Sequence, residues 1–541
     1  MMLILNKEKL KNTEEWLRAD IELPKFDYET MLNKSYENPT WVHFGAGNIF
    51  RGFPAMLQQQ LLNCGNVETG IIAVETYDYE IIDRIYRPYD NLSLLVIMNP
   101  DGTLKKTVVG SICESLVGDP SRKNDWERLK EIFAKPSLKM ASFTITEKGY
   151  NLKNFLGDYL DDVLEDMSKG PMYPKSVMGK IASLAYIRFK NGKLPLAFVS
   201  MDNCSRNGEK LYNAINTIVE KWRLNGLVEN EFLEYINNPQ YVSFPWSMID
   251  KITPRPSAAI KDILDKTGFG STEIICTDKK TYIAPFVNTE EPQYLVIEDK
   301  FPNGRIPLDL VGVNFTDRQT VEKAEKMKVS TCLNPLHTSL AVFGCLLGFK
   351  TIADEMKDRC LNELVKKIGF EEGMPVVANP GIINPESFIN EVINVRLPNP
   401  YIPDTPQRIV TDTSQKIAIR FGETIKSYYK SKDLDVKNLK YIPLVIAGWC
   451  RYLMGIDDNG DKMDLSPDPL MNNLKECISQ IKLGDKENVN NCLKPILSNE
   501  VIFGINLYSI GLGEKIENYF EELIAGKGAV RSTLRKYLNC N

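Results

Sequence analysis

Histidine occurs only twice in the chain, as His43 and His337, and each sits in a short motif that binding or catalysis can use. His337 closes Asn334-Pro335-Leu336-His337, and Lys328 lies just upstream. A lysine, an amide and an imidazole in so short a span can move a proton beside a carbonyl and polarise its oxygen. His43 lies in Trp41-Val42-His43-Phe44-Gly45-Ala46-Gly47, an apolar strand running into a glycine turn. Together the two motifs suggest a nucleotide-dependent redox enzyme.

Oxidising a secondary alcohol requires hydride loss to a nicotinamide and proton loss to a base. A lysine in that role must be partly neutral near working pH, which burial and neighbouring positive charge can arrange. Asn334 and His337 are three residues apart, so they share one face if Pro335 begins a helix. The competing reading makes Asn334 a helix cap, His337 a packed side chain and Lys328 a solvated charge, and the segment alone does not choose between them. His43, on the strand before the turn, is expected to be packed and hydrogen-bonded rather than catalytic.

In the glycine turn, Gly45 permits the tight bend and Gly47 lets backbone approach a pyrophosphate, while Gly52 stands further along than the usual third glycine. The helix that follows offers free N–H groups. Glu75, at the end of the next strand, is placed to accept hydrogen bonds from the adenosine ribose, with Asp78 as its competitor. An acidic residue there favours NAD over NADP.

These side chains need a scaffold. Apolar runs at residues 39–44, 69–74, 94–98, 140–146 and 195–201 alternate with helical patterns such as 53–62, 126–133 and 210–222. From about Thr316 long helical patterns dominate, with proline- and asparagine-rich loops at 379–385 and 398–406. The fold class is α/β: an N-terminal Rossmann-like, doubly wound dinucleotide-binding domain over residues 1–315, and a mainly α-helical substrate and catalytic domain over 316–541.

With 541 residues, 43% hydrophobic and 25% charged, the chain has the balance of an ordinary globular protein of more than one domain. A net charge of −5 without a basic run excludes nucleic acid as a natural partner, and no apolar stretch is long enough for a bilayer. The short apolar start lacks the form of a signal peptide, so a cytoplasmic protein is expected. The 11 cysteines, without a CxxC pair, read as buried reduced thiols and not as a disulfide framework. With two distant histidines, a zinc site has little to be built from, and the redox chemistry is expected to need no metal.

The chain resembles the polyol-specific long-chain dehydrogenases, the mannitol dehydrogenase family, over most of its length. The resemblance rests on His43 to Asn48 with Arg51, Thr146-Glu147-Lys148-Gly149-Tyr150, Asp202-Asn203 with Asn207-Gly208, and Asp250-Lys251-Ile252-Thr253-Pro254. It continues through Glu325 with Lys328, Asn334 with His337, and Arg408 with Asp412-Thr413-Ser414-Gln415-Lys416. It implies Lys328 as the acid/base, Asn203 and Asn334 polarising the substrate oxygen, His337 orienting it, and Glu325 passing the proton to solvent. It implies NAD held by Gly45, Gly47, Asn48, Arg51, Glu75, Thr146, Glu147 and Lys148, and a substrate met by Arg408, Lys416 and Asp250.

One departure from the family pattern concerns the lysine, which stands six residues before Asn334 instead of five. A one-residue bulge within Val329 to Leu333 restores the geometry, as inserted residues in helices often do at functional sites. Lys326 is the rival, but it lacks the glutamate three residues earlier that Glu325 supplies to Lys328.

The resemblance implies an NAD-dependent oxidoreductase acting on a small sugar acid or polyol, with D-fructuronate and D-mannonate as the leading pair. Mannitol 2-dehydrogenase and tagaturonate reductase activities are the alternatives, and a catalytically inactive NAD-binding regulator is the reading from another class. A sugar carboxylate calls for a guanidinium or ammonium, and Arg408 and Lys416 are the candidates. Arg420, one turn beyond, is expected to be a surface salt-bridge residue. A monomer or small homo-oligomer is expected.

Overall fold

Parallel strands covered on both faces need apolar residues at nearly every position. Four segments of the first half meet that demand, β1 (Trp41–Phe44), β2 (Ile71–Glu75), β4 (Met140–Phe143) and β5 (Leu196–Ser200), and two with more polar residues, β3 (Ile112–Val117) and β6 (Val242–Ser243), take the edges. In the computed structural model, which describes residues 2–154 and 156–540, they form one parallel sheet in the order β3-β2-β1-β4-β5-β6. That is the doubly wound dinucleotide-binding order, with its switch point between β1 and β4.

Alternate strand residues feed two separate cores. Phe44, Val74, Phe143 and Phe198 pack with Trp126, Ile181 and Trp222 on one face, while Trp41, Ala73, Met140 and Val199 pack with Phe50, Leu57 and Leu61 on the other. The helices that supply these residues include Pro54–Asn63, Lys123–Ala134, Val177–Lys190 and Asn207–Leu224.

One element departs from expectation. The run at 94–98 is a strand, Ser93–Met98, but it pairs antiparallel with Leu104–Val109 and parallel with Phe286–Thr289 in a second, four-stranded sheet. The place it was expected to take is filled by β3, whose half-buried Cys113 and Glu114 break the apolar run.

The chain divides into two compact units, Met1–Glu322 and Lys323–Asn541. The second is helical. Its helix Asn334–Leu347 is buried continuously from Thr338 to Leu346 and packs on Tyr441–Tyr452, where Gly448 leaves room for the Phe343 ring. Among the described residues four π-helical turns interrupt its helices, at Lys328–Cys332, Lys367–Gly373, Val392–Arg396 and Ala418–Gly422. No helix among the described residues is long and apolar enough to cross a membrane.

The cysteine expectation needs correcting. Cys360 and Cys540 form a buried disulfide, and of the nine free thiols Cys64 and Cys276 are exposed. Sequence spacing carries no signal for a pair 180 residues apart.

Glu355, on helix Ile352–Lys357, has no exposed surface, and neither carboxyl oxygen has a hydrogen-bond partner among the described residues. Gly344 makes its place, since a Cβ there would come within 1.7 Å of Oε1. Burial, and then the nearby Asp358, push the carboxyl up to about 9. The folded chain therefore keeps a proton that the unfolded chain releases near 4.5. Stability from this group is fully present below 4.5 and falls as pH rises toward 9. Glu355→Met is expected to stabilise the protein by about 3 kcal/mol at pH 7, as 1.36 kcal/mol per pH unit above the unfolded pKa requires. Thermal unfolding at several pH values checks it, because a Tm gain that did not grow between pH 5 and pH 8 would contradict the neutral carboxyl.

Candidate active site

At the switch point β1 ends and the chain must turn sharply. Gly45 has φ of 103°, and a Cβ there would lie 2.1 Å from the Thr144 carbonyl oxygen, so this position requires glycine. The Gly47 Cβ position has no atom within 4 Å, which leaves that side of the turn open to a ligand's approach. Both turn carbonyls point inward: Gly45 O accepts from Thr144 Oγ1 at 3.2 Å, and Ala46 O from the Tyr86 hydroxyl at 2.9 Å.

His43 is the packed histidine that was expected. Its ring stacks on Phe50 with centroids 4.2 Å apart, and burial drives its pKa down to about 3. Trp41 Nε1 donates to Ser142 Oγ at 2.6 Å, Ser142 Oγ meets His43 Nδ1 at 2.6 Å, and His43 Nε2 meets Thr144 Oγ1 at 2.8 Å. Because Thr144 spends its proton on Gly45 O, His43 must donate from Nε2 and accept at Nδ1.

Glu75 closes the far end of β2. Its Oε1 accepts from the N–H groups of Thr76, Tyr77 and Asp78, and its Oε2 accepts from Ala46 N at 3.0 Å. Burial raises its pKa against those four bonds. Oε2 has one lone pair left for a ribose hydroxyl. Asp78 is committed elsewhere, accepting from Thr277 Oγ1 at 2.7 Å.

Arg51 departs from its expected place at the cofactor. Its buried guanidinium donates to Ala284 O at 2.7 Å and to Asn48 Oδ1 at 2.8 Å, so it braces the turn from inside. Asn48 is half-buried at the start of the short helix after the turn. The open Gly47 face and the remaining acceptor of Glu75 nevertheless fit a dinucleotide.

Beyond β4, Thr146, Glu147 and Lys148 are exposed, and Glu147 pairs with Lys210. Asn203, just beyond β5, is also exposed. Asp250 is buried at the end of strand Ser247–Asp250, opposite Tyr294.

Helix Arg318–Met327 runs into the π turn Lys328–Cys332 of the second unit, overlapping the segment where an extra residue was expected. Lys328 is 2% exposed. Lys326 instead forms an outward ion pair with Glu423 at 2.9 Å, with its side chain 47% exposed. Thr424 Oγ1 donates to Ser330 O at 3.1 Å, supporting the turn. Glu325 is half-buried one turn before Lys328.

Pro335 sits in the first turn of the helix that begins at Asn334. His337 Nε2 lies 3.4 Å from Asp404 Oδ2, and burial is the largest cause that lowers its pKa to about 4, so the imidazole is neutral. Asp404 also holds Arg408. Lys416 donates to Thr411 O at 2.7 Å, and burial, then Arg420, lower its pKa. The segment leading to it is fixed where Asp468 accepts from Ser414 N at 2.9 Å.

Arg420 corrects another expectation. Its Nη1 donates to Thr338 Oγ1 at 2.5 Å, whose hydroxyl donates to Asn334 O at 2.8 Å, and burial lowers its pKa to about 10. It is not a surface salt bridge. Arg420 and Asp404 are the parts of this cluster that the sequence reading missed. The four-residue spacing from Asp404 to Arg408 is the one signal that could have found the acid.

Two family models match the chain, the mannitol dehydrogenase Rossmann domain over residues 39–310 and the mannitol dehydrogenase C-terminal domain over residues 320–524. A D-mannonate oxidoreductase of Thermotoga maritima is 58% identical over 534 residues, covering 98% of each chain. A D-mannonate oxidoreductase of Escherichia coli is 26% identical, covering 82% of this chain and 86% of its own. The structure of Pseudomonas fluorescens mannitol 2-dehydrogenase in ternary complex with NAD and D-mannitol matches over 100% of both chains, with a TM-score of 0.72 and 25% identity.

Proposed function

The chain belongs to the mannitol dehydrogenase family and is an NAD-dependent polyol or hexuronate dehydrogenase; from that premise we propose that it interconverts D-fructuronate and D-mannonate. One observation carries the choice of a sugar acid over a neutral polyol. Arg420 is a largely buried guanidinium with no acidic partner among the described residues, and Lys416 and Arg408 lie in the same cluster. A buried cation without a counter-charge is costly, and a substrate carboxylate offsets that cost. The 58% identity to a D-mannonate oxidoreductase points the same way.

When bound, NAD(H) exchanges a hydride with the reacting carbon. The glycine turn and the free lone pair of Glu75 are the groups proposed to hold it. In the reductive direction the Lys328 ammonium gives its proton to the new alkoxide oxygen, and in the oxidative direction the amine takes it back. Asn334 donates from its amide to that oxygen, stabilising the charge that develops there. Neutral His337 orients the same oxygen, and its Nε2, 3.4 Å from Asp404 and without a hydrogen-bond partner among the described residues, is left to meet it. Glu325 is the proposed exit for the lysine's proton. The balanced reaction is D-fructuronate, NADH and a proton giving D-mannonate and NAD⁺.

The test is a turnover screen with NADH against fructuronate, tagaturonate and fructose. Preference for fructose overturns the sugar-acid reading, and preference for tagaturonate keeps the carboxylate but changes the stereochemistry. Absence of turnover on all three, and on a panel of alditols, favours a binding regulator instead.

We further propose that proton transfer by Lys328 makes a metal ion unnecessary. Activity is expected to survive exhaustive chelation. Loss with EDTA that a divalent cation restores would sink the metal-free mechanism.

A further inference from the structure

Thr146 has φ of 64° and ψ of 161°. This is not the left-handed helical region where Asp412 (53°, 33°) and Arg206 (55°, 42°) are found. It is the region with positive φ and extended ψ that only glycine enters freely, and a β-branched side chain makes it harder still. Such a conformation persists only when its surroundings hold it. Here one carboxylate does so.

Asp202 Oδ1 accepts from Thr146 N at 2.8 Å, and Oδ2 accepts from Ile145 N at 2.9 Å and from the Tyr150 hydroxyl at 2.6 Å. Two successive backbone N–H groups thus converge on one buried side chain. Asp202 is itself fixed, because Asn207 Nδ2 donates to its carbonyl at 3.0 Å and Tyr150 is braced by Ser200 Oγ at 2.7 Å. β4 and β5 are neighbours, with Phe143 opposite Ser200, so the bond crosses between the C-terminal ends of two adjacent strands. Those ends border the crevice in which a doubly wound sheet binds its ligand.

We propose that Asp202 is a positioning residue: its carboxylate holds Thr146 in a backbone conformation that threonine otherwise avoids, and the bent strand end so formed shapes the cofactor-binding edge of β4. The proposal rests on the reading of this unit as the NAD(H) domain. Asp202 does not touch the reacting atoms. It acts through the path of residues 145–147, and Asn203 follows it directly in the chain.

The experiment compares Asp202→Asn, Thr146→Gly and the double variant, with NADH binding measured by fluorescence titration and folding by Tm. An asparagine must set its NH₂ against either Thr146 N or Ile145 N, so one of the two successive N–H groups loses its acceptor, the bend at 145–147 loosens, and NADH binding weakens about ten- to hundredfold. Glycine adopts the observed angles without the carboxylate, so the loss caused by Asp202→Asn, measured against Thr146→Gly alone to discount any contact of the threonine with the cofactor, is expected to shrink at least tenfold. A purely structural role for Asp202 gives the same loss in both backgrounds, and equal losses overturn the proposal. An Asp202→Asn protein that binds NADH like wild type overturns it as well. If Asp202→Asn does not fold, Thr146→Gly decides alone: release of the unfavourable conformation raises Tm, and a lowered Tm overturns the idea. A wild-type chain that binds neither NADH nor NADPH overturns the cofactor reading beneath it instead.

Discussion

Lys328→Ala is expected to lower kcat by about 10²–10⁴ while NADH binding stays within a few fold, because a proton-transfer group is worth that much and the residues proposed for the cofactor lie in the first unit. The contrast with its neighbour makes the test sharp. Lys326, ion-paired with Glu423 on an exposed surface, is expected to tolerate alanine with less than about a threefold change. Two residues apart on a helix point to opposite sides, so Lys326 at the end of Arg318–Met327 faces out while Lys328, where the π turn begins, is 2% exposed. Asn334→Ala is expected to lower kcat without moving the pH profile, as loss of an uncharged donor should. A large loss at Lys326 with a near-normal Lys328→Ala enzyme contradicts both the assignment and the meaning given to the turn.

Arg420→Met is expected to lower kcat/KM for fructuronate by about 10²–10³, the usual cost of removing one partner from a desolvated charge pair. Methionine keeps most of the stem but removes both the charge and the hydrogen bond to Thr338 Oγ1, so the comparison of an acid with a neutral substrate separates the two losses. Turnover of neutral fructose is expected to change by less than about tenfold. Arg420→Lys is expected to fall between, because an ammonium retains the charge but not the planar fork. Equal losses on the acid and the neutral ketose would mean that Arg420 merely supports the helix start at Asn334, and the preference for a sugar acid would lose its main physical ground.

Much of the first unit was legible because β1, the glycine turn and β2 are local features. An apolar run, a turn that only glycine can make and an acidic strand end each announce themselves within a few residues. Partnership between strands is not local. Ser93–Met98 reads as a sheet strand and is one, but nothing in its own residues says that it joins a second sheet. The fate of Arg51 was hidden for a similar reason, since its acceptor Ala284 lies 233 residues away. In the second unit, the count between Lys328 and Asn334 pointed to an irregular turn, and the structure has one there. Arg420 was expected at the surface because nothing near it in sequence signals a buried partner, whereas its guanidinium reaches Thr338, 82 residues away. The disulfide joins residues 180 apart and left no trace in their spacing.

The inward carbonyls of the glycine turn give that loop an electrical polarity. Each donor in the chain from Trp41 through Ser142, His43 and Thr144 points toward the turn and ends on Gly45 O, while Tyr86 takes up Ala46 O. The two peptide oxygens that could repel an approaching phosphate are therefore spent inside the protein. The negative charge of Glu75 is likewise spread over four backbone N–H groups. A diphosphate arriving at the open Gly47 face meets a surface stripped of outward acceptors at Gly45 and Ala46, and a neutral histidine buried behind it has made that surface so.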